Sequence, residues 1–185
     1  MSERVTCSVG AALRYGVPAN VVLAVAEQEG GRPGQWVANS NGTFDVGTLQ
    51  FNTAYLRSLA PYGIGPAEAA RPGCYAYHLA AWRLRLHLAH DAGDLWTRAA
   101  NYHSRTPSVN ADYRAQIMVR GARWASWLHA RWPSLPMAAT SVAVRPPART
   151  TMRPSSVSSA LRASTEVPVV FTRARSRTTN LTINQ

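Results

Sequence analysis

The segment VPANVVLAVAEQEGG, residues 17–31, constrains the fold more than any other stretch of the chain. Pro18 suits the first turn of a helix, and Gly30-Gly31 stops one. At 3.6 residues per turn, Val22, Val25, Ala26 and Glu29 share a face. Glu29 therefore points the way the core points, in the last turn of its helix and against a glycine-rich loop. Glu27 follows Asn20 and Leu23 on a less apolar face and reads as a solvated charge. Apolar surroundings raise the pKa of a carboxyl at position 29, and the negative end of the helix dipole adds to this more weakly. A carboxylic acid that stays protonated near neutral pH is what general-acid chemistry requires. The two glycines after it read as clearance for a substrate. The bland alternative is a helix-end glutamate whose side chain bends out to water.

The rest of the first 132 residues reads as one mostly helical domain. VTCSVGAALRYG predicts a first helix ending at Gly16. Residues 31–47 form a loop rich in Gly, Asn, Ser and Thr, with a short strand or hairpin at NSNGTFDVG. TLQFNTAYLRSLAPYG reads as helical to about Leu59, with Pro61 and Gly63 ending it. A longer helix runs from about Cys74 to His90, where Tyr77, Ala81, Leu84 and Leu88 recur at helical spacing. Asp94 is a plausible cap for the next helix. The last helix spans about Asn110 to Arg131. No strand-rich region and no internal repeat is evident.

The composition shifts at Pro133. Residues 133–185 are rich in Ser, Thr, Pro and Arg and read as a mostly disordered tail, with one apolar patch, VPVVF, at 167–171. The charge is asymmetric as well. Thirteen arginines stand against eight acids up to residue 132, and seven against one beyond it, within a net charge of +11. Such a surface favours polyanions: nucleic acid, anionic lipid or an acidic wall polymer. No apolar run approaches the ~20 residues of a membrane span. Residues 5–13, interrupted by Thr6, Cys7 and Ser8, do not make a convincing signal peptide. Cys7 and Cys74 are too far apart for a CxxC motif, and the choice between two buried thiols and one disulfide stays open on spacing alone.

The loop after Glu29 shifts the balance toward a functional glutamate. Its small and amide side chains, Ser40, Asn41, Thr43, Asp45, Gln50 and Asn52, suit sugar hydroxyls and acetamido groups. Taken in order, Glu29-Gly30-Gly31, Ser40 to Asn52, and Asn101-Tyr102-His103-Ser104-Arg105-Thr106-Pro107 resemble the soluble lytic transglycosylase signature. They are most similar to the specialised members that serve conjugation and secretion machines. Gly30 replaces the usual serine, and Thr48-Leu49 replaces Leu-Met. The resemblance covers roughly residues 5–128. It implies a mainly α, lysozyme-like helical domain, with Glu29 as catalytic acid and base. It also implies a glycan cleft lined by Ser40, Gln50 and Tyr102, with Asn52 and Tyr113 as weaker transfers, and it favours a Cys7–Cys74 disulfide. Tyr102 is expected to position Glu29 or the substrate's acetamido group.

The activity so implied is cleavage of the β-1,4 bond between N-acetylmuramic acid and N-acetylglucosamine, with formation of a 1,6-anhydro ring. The expected partners are peptidoglycan strands and components of a secretion or conjugation machine. The expected location is the periplasm or the cell wall, and the expected state is a monomer without cofactor or metal. Asp45 is the one obvious second carboxylate, and the resemblance gives it a structural role in capping loop amides. If it instead positions water, the chain is a hydrolysing muramidase. A non-catalytic wall-binding or nucleic-acid-binding module is the rival from another class. Among other residues, His87 and His90 read as solvated helix histidines, and His103 is a candidate cleft residue. Trp124 and Trp127 read as core, and Trp36 is the best candidate for stacking on a sugar.

Overall fold

In the computed structural model, which describes residues 2–140, the apolar segment forms α2 (Ala19–Glu29), and every residue from Ala19 to Ala26 is buried. Burial all round is what so uniformly apolar a helix requires. It is met by α1 (Glu3–Tyr15), α5 (Tyr75–His90) and α7 (Pro107–His129), all of which pack on α2. Pro18 sits at the N-cap, one residue before the helix, and its carbonyl accepts from the Val21 and Val22 amides. The expected single core face is therefore too narrow a description. Val22, Val25 and Ala26 are buried, and so are Val21, Leu23 and Ala24.

The architecture is mainly helical, with one small antiparallel sheet. Strands β1 (Trp36–Ala38), β2 (Phe44–Val46) and β3 (Phe51–Asn52) lie in that order. Trp36 pairs with Val46 and Ala38 with Phe44, while Val46 pairs with Phe51. The hairpin expected at NSNGTFDVG is present, and Asn39 to Gly42 form its turn. The helix expected from Thr48 begins later. Gln50 takes a positive φ of 47°, which interrupts any helix, and Phe51–Asn52 joins the sheet. Helix α3 (Thr53–Leu59) then starts from Asn52, whose side chain accepts from the Ala54 amide at 2.9 Å. A 3-10 turn at Ala60–Tyr62 and the short helix α4 (Pro66–Ala70) lead to α5. Asp94 caps α6 (Leu95–Ala100) through the Thr97 amide, as expected.

A disulfide joins Cys7 in α1 to Cys74, the residue before α5, with Cα atoms 4.9 Å apart. The composition shift at Pro133 is not the edge of the packed unit. Asn20, fully buried in α2, donates to the Ala138 carbonyl at 3.0 Å and accepts from its amide at 2.8 Å. The Trp96 indole donates to the Ala139 carbonyl at 2.9 Å. A buried amide side chain is favourable only when its hydrogen bonds are met, and here Ala138 and the Gly121 carbonyl meet them. The remainder of the expected tail, including VPVVF at 167–171, lies outside the described residues. No helix among the described residues is long and apolar enough to cross a membrane.

Candidate active site

The C-terminal end of α2 opens onto a polar cleft of about 550 Å³. The hairpin supplies Asn39, Ser40, Asn41 and Asp45, and the turn into α3 supplies Gln50 and Asn52. The middle of α5 supplies Arg83, and the turn after α6 supplies Tyr102 and His103. Glu29 stands at the α2 end of this cleft. Five residues expected from sequence, Glu29, Ser40, Gln50, Asn52 and Tyr102, thus line one cavity, and His103 joins them.

Glu29 is half-buried, and its partner is Tyr113. The tyrosine hydroxyl donates to Oε1 at 2.5 Å. Burial pushes the Glu29 pKa up to about 7. The Tyr113 hydrogen bond and the Arg83 charge oppose the rise, and the Asp45 charge adds to it. Burial also drives the Tyr113 pKa well up, so its hydroxyl stays a donor. The His103 ring stacks on Tyr113 with centroids 4.7 Å apart and planes 5° from parallel, which fixes the ring that holds the acid. Tyr113→Phe removes the interaction that lowers the Glu29 pKa. The alkaline limb of any Glu29-dependent pH–rate profile then moves to higher pH, and an unmoved limb would exclude this pairing.

Of the two roles expected for Tyr102, the structure does not show the positioning of Glu29. The Tyr102 ring is buried, and its hydroxyl donates to the Leu49 carbonyl at 2.9 Å rather than to Glu29. It pins the Leu49–Gln50 turn that forms one wall of the cleft. Asn52 is a strut as well as a lining residue, because its amide donates to Thr43 and to Asp45, each at 2.9 Å. Asp45 was expected to hold loop backbone amides, but its carboxylate is met by the Asn52 side chain instead. Trp36 packs edge-on against Phe44 on the outer hairpin, and neither lines the cleft.

The two glycines after Glu29 serve closure rather than clearance. Gly30 ends α2 in the left-handed region at φ 59°, with its amide bonded to the Ala26 carbonyl. Gly31 lies against the Gly47 carbonyl and the Gln50 side chain, where a Cβ would collide with both. This approach brings the Gly47–Gln50 turn onto the end of the helix, and Gln50 secures it by donating to the Gly47 carbonyl at 2.7 Å. Gly31→Ala is expected to destabilise the fold by ~1–3 kcal/mol, measured by denaturant unfolding, because backbone atoms have to give way.

Glu27 is also corrected. It accepts from the Trp124 indole at 2.7 Å and the Arg123 guanidinium at 2.6 Å, which fastens α2 to α7. His87, expected to be solvated, is buried and meets Asp91 at 2.7 Å. Burial works against the Asp91 charge, but hydrogen bonds from Asn101, Arg105 and His87 outweigh it and hold the pKa at about 2. Arg83 was missed. Its signal was an arginine on the buried stripe of α5, at helical spacing from Ala76, Ala80 and His87.

The arrangement provides one carboxyl that can give and take a proton near neutral pH, beside neutral amides and hydroxyls suited to a polyhydroxylated ligand. No protein-family model matches this chain, and no curated protein matches it.

Proposed function

We propose that this chain is a peptidoglycan lytic transglycosylase built on a lysozyme-like helical domain. The observation that carries the reading is the Glu29 carboxyl, raised to about 7 at the mouth of a polar cleft and held on one oxygen by Tyr113. Tyr113 occupies Oε1, which leaves Oε2 to carry the transferable proton. Glu29 protonates the glycosidic oxygen between N-acetylmuramic acid and N-acetylglucosamine. The substrate's own acetamido group stabilises the anomeric carbon. The Glu29 carboxylate then takes the proton of the muramyl 6-hydroxyl, whose oxygen closes the 1,6-anhydro ring. A pKa near 7 suits a group that must act as acid and then as base in one cycle. The net charge of +11 fits work at an anionic wall, in the periplasm or bound to the wall polymer. Local opening of the wall for a secretion or conjugation apparatus is the role proposed for it.

The test is digestion of purified peptidoglycan followed by mass spectrometry of the soluble products. Anhydro ends, one water lighter than reducing ends, are expected. Reducing ends would move the assignment to a hydrolysing muramidase. That second reading draws on Asp45, a carboxylate lining the same cleft. Full activity of Asp45→Asn would remove it, because a second carboxylate is needed there to position water.

A further inference from the structure

The cleft holds a cation that tempers the Glu29 pKa but neither gives nor takes a proton in the acid–base step. Arg83 projects from α5 and lines the cleft together with Glu29. Its guanidinium carbon lies 4.1 Å from the centre of the Tyr55 ring and 4.5 Å from that of Tyr102. Both rings are themselves fixed. Tyr55 stacks on Phe51 at 19°, and the Tyr102 hydroxyl is tied to Leu49. Cation–π contacts use the flat face of a guanidinium, whereas its N–H groups point outward from the edge, in the plane.

No carboxylate takes that edge. The ion pairs among the described residues are made by Arg71, Arg105, Arg114, Arg120, Arg123 and His87. The two carboxylates that share the cleft are engaged elsewhere, Glu29 by Tyr113 and Asp45 by Asn52. Arg83 hydrogen-bonds Tyr102 and packs on two rings but enters none of these ion pairs, so its remaining N–H groups are available to a planar anion. Ser40, Asn39 and Asn41 on the facing hairpin are neutral and do not compete for it.

We propose that Arg83 forms a carboxylate subsite of this cleft and sets its preference for glycan strands that carry a free carboxylate beside the scissile bond. The inference rests on the glycan-cleaving function proposed above. On such a strand the carboxylate has two sources: the lactyl group of a muramic acid without its peptide, or the peptide itself.

The experiment titrates Glu29→Gln protein, which holds substrate uncleaved, with three tetrasaccharides. The first alternates N-acetylglucosamine with peptide-free N-acetylmuramic acid. The second is the same sugar carrying its peptides. The third is neutral and contains N-acetylglucosamine alone. Adding Arg83→Gln is expected to weaken at least one charged probe roughly 10- to 100-fold and the neutral probe less than about twofold. The probe that loses affinity identifies the source of the carboxylate. Arg83→Lys keeps the charge without the planar fork and is expected to fall between the two, and it replaces Arg83→Gln if that variant does not fold. Equal response of charged and neutral probes overturns the subsite, since a structural role moves all three alike. If the wild type still releases anhydro products in that case, the glycan-cleaving function stands. If it releases no cleavage product from peptidoglycan, both fall.

Discussion

Glu29→Gln is expected to slow strand cleavage by on the order of 10²- to 10⁴-fold and, at the same time, to stabilise the folded protein above neutral pH. On the proposed mechanism the rate effect follows because glutamine can neither transfer a proton to the glycosidic oxygen nor take one from the attacking hydroxyl. The stability effect follows from linkage. The carboxyl titrates at 4.5 when solvated and at about 7 in the fold. Below 4.5 it is neutral in both states and imposes no penalty. As pH rises through 7 the folded state must carry a half-buried charge, and the stability present at low pH is lost. The loss is on the order of 2–3 kcal/mol once partial exposure is allowed for. Glutamine is neutral throughout. The stability difference between variant and wild type therefore opens between those two values and is flat above them. Asp91 and His87 also titrate differently in the fold, but they are common to both proteins and cancel in the difference. Denaturant unfolding on either side of the window measures it. A variant no more stable than the wild type at high pH would mean that the carboxylate is not buried as described, and the assignment of Glu29 as the acid would lose its support.

Much of the helical plan is legible because it is local. Gly16 and Gly30 stop helices by taking the left-handed conformation, and Asp94 caps a helix through an amide three residues on. The α2 segment announces a buried helix, but its periodicity overstated how finely the faces could be told apart, since a helix apolar on every side has no single inward direction. Glu29 lines the polar cleft, while Glu27, read as a solvated charge, is engaged by α7 instead. Its partners, Arg123 and Trp124, lie 96 and 97 positions along the chain. No local pattern encodes that meeting.

The cleft was legible as a set of residues and not as a set of contacts. Ser40, Gln50 and Asn52 could be placed near Glu29 from their order and their amide-rich surroundings. Which tyrosine reaches the acid could not, because it depends on how α7 crosses α2. Tyr113 takes the acid, while Tyr102 is spent on the Leu49 carbonyl. The glycines were misjudged for a related reason. A missing side chain looks alike in sequence whether it admits a ligand or another strand of backbone, and Gly31 admits the Gly47–Gln50 turn. Arg83 escaped notice despite its place on the buried stripe of α5, because the exposed Arg85 lies two positions on and the two rings that hold Arg83 come from other segments.

Reduction of the Cys7–Cys74 bond is the second large effect, with an expected loss of about 4 kcal/mol. The bond closes a loop across 67 positions of sequence. In the chain-entropy description, a closure of that length removes about that much conformational freedom from the unfolded state. For a domain of this size the melting temperature should fall by on the order of 10 °C. The geometry favours nearly full realisation of the effect, because the bond joins two helices that already pack on each other and on α2. Cys7→Ala/Cys74→Ala is the appropriate comparison, since alanine leaves no new hydroxyl in the buried site around Cys7. The double variant should melt lower than the wild type and be indifferent to reductant, while the wild type should fall toward it when reductant is added. Neither cysteine lines the cleft, and its one α5 residue, Arg83, stands beyond the first turn of that helix, so cleavage at low temperature should survive in the variant and be lost only on warming. A wild type whose melting is unchanged by a strong thiol reductant would mean either that the cysteines are not joined or that the bond is inert. Mass spectrometry after thiol alkylation separates those two outcomes. A bond that does form and stabilise is what an oxidising compartment permits, and it fits the wall-associated location proposed above.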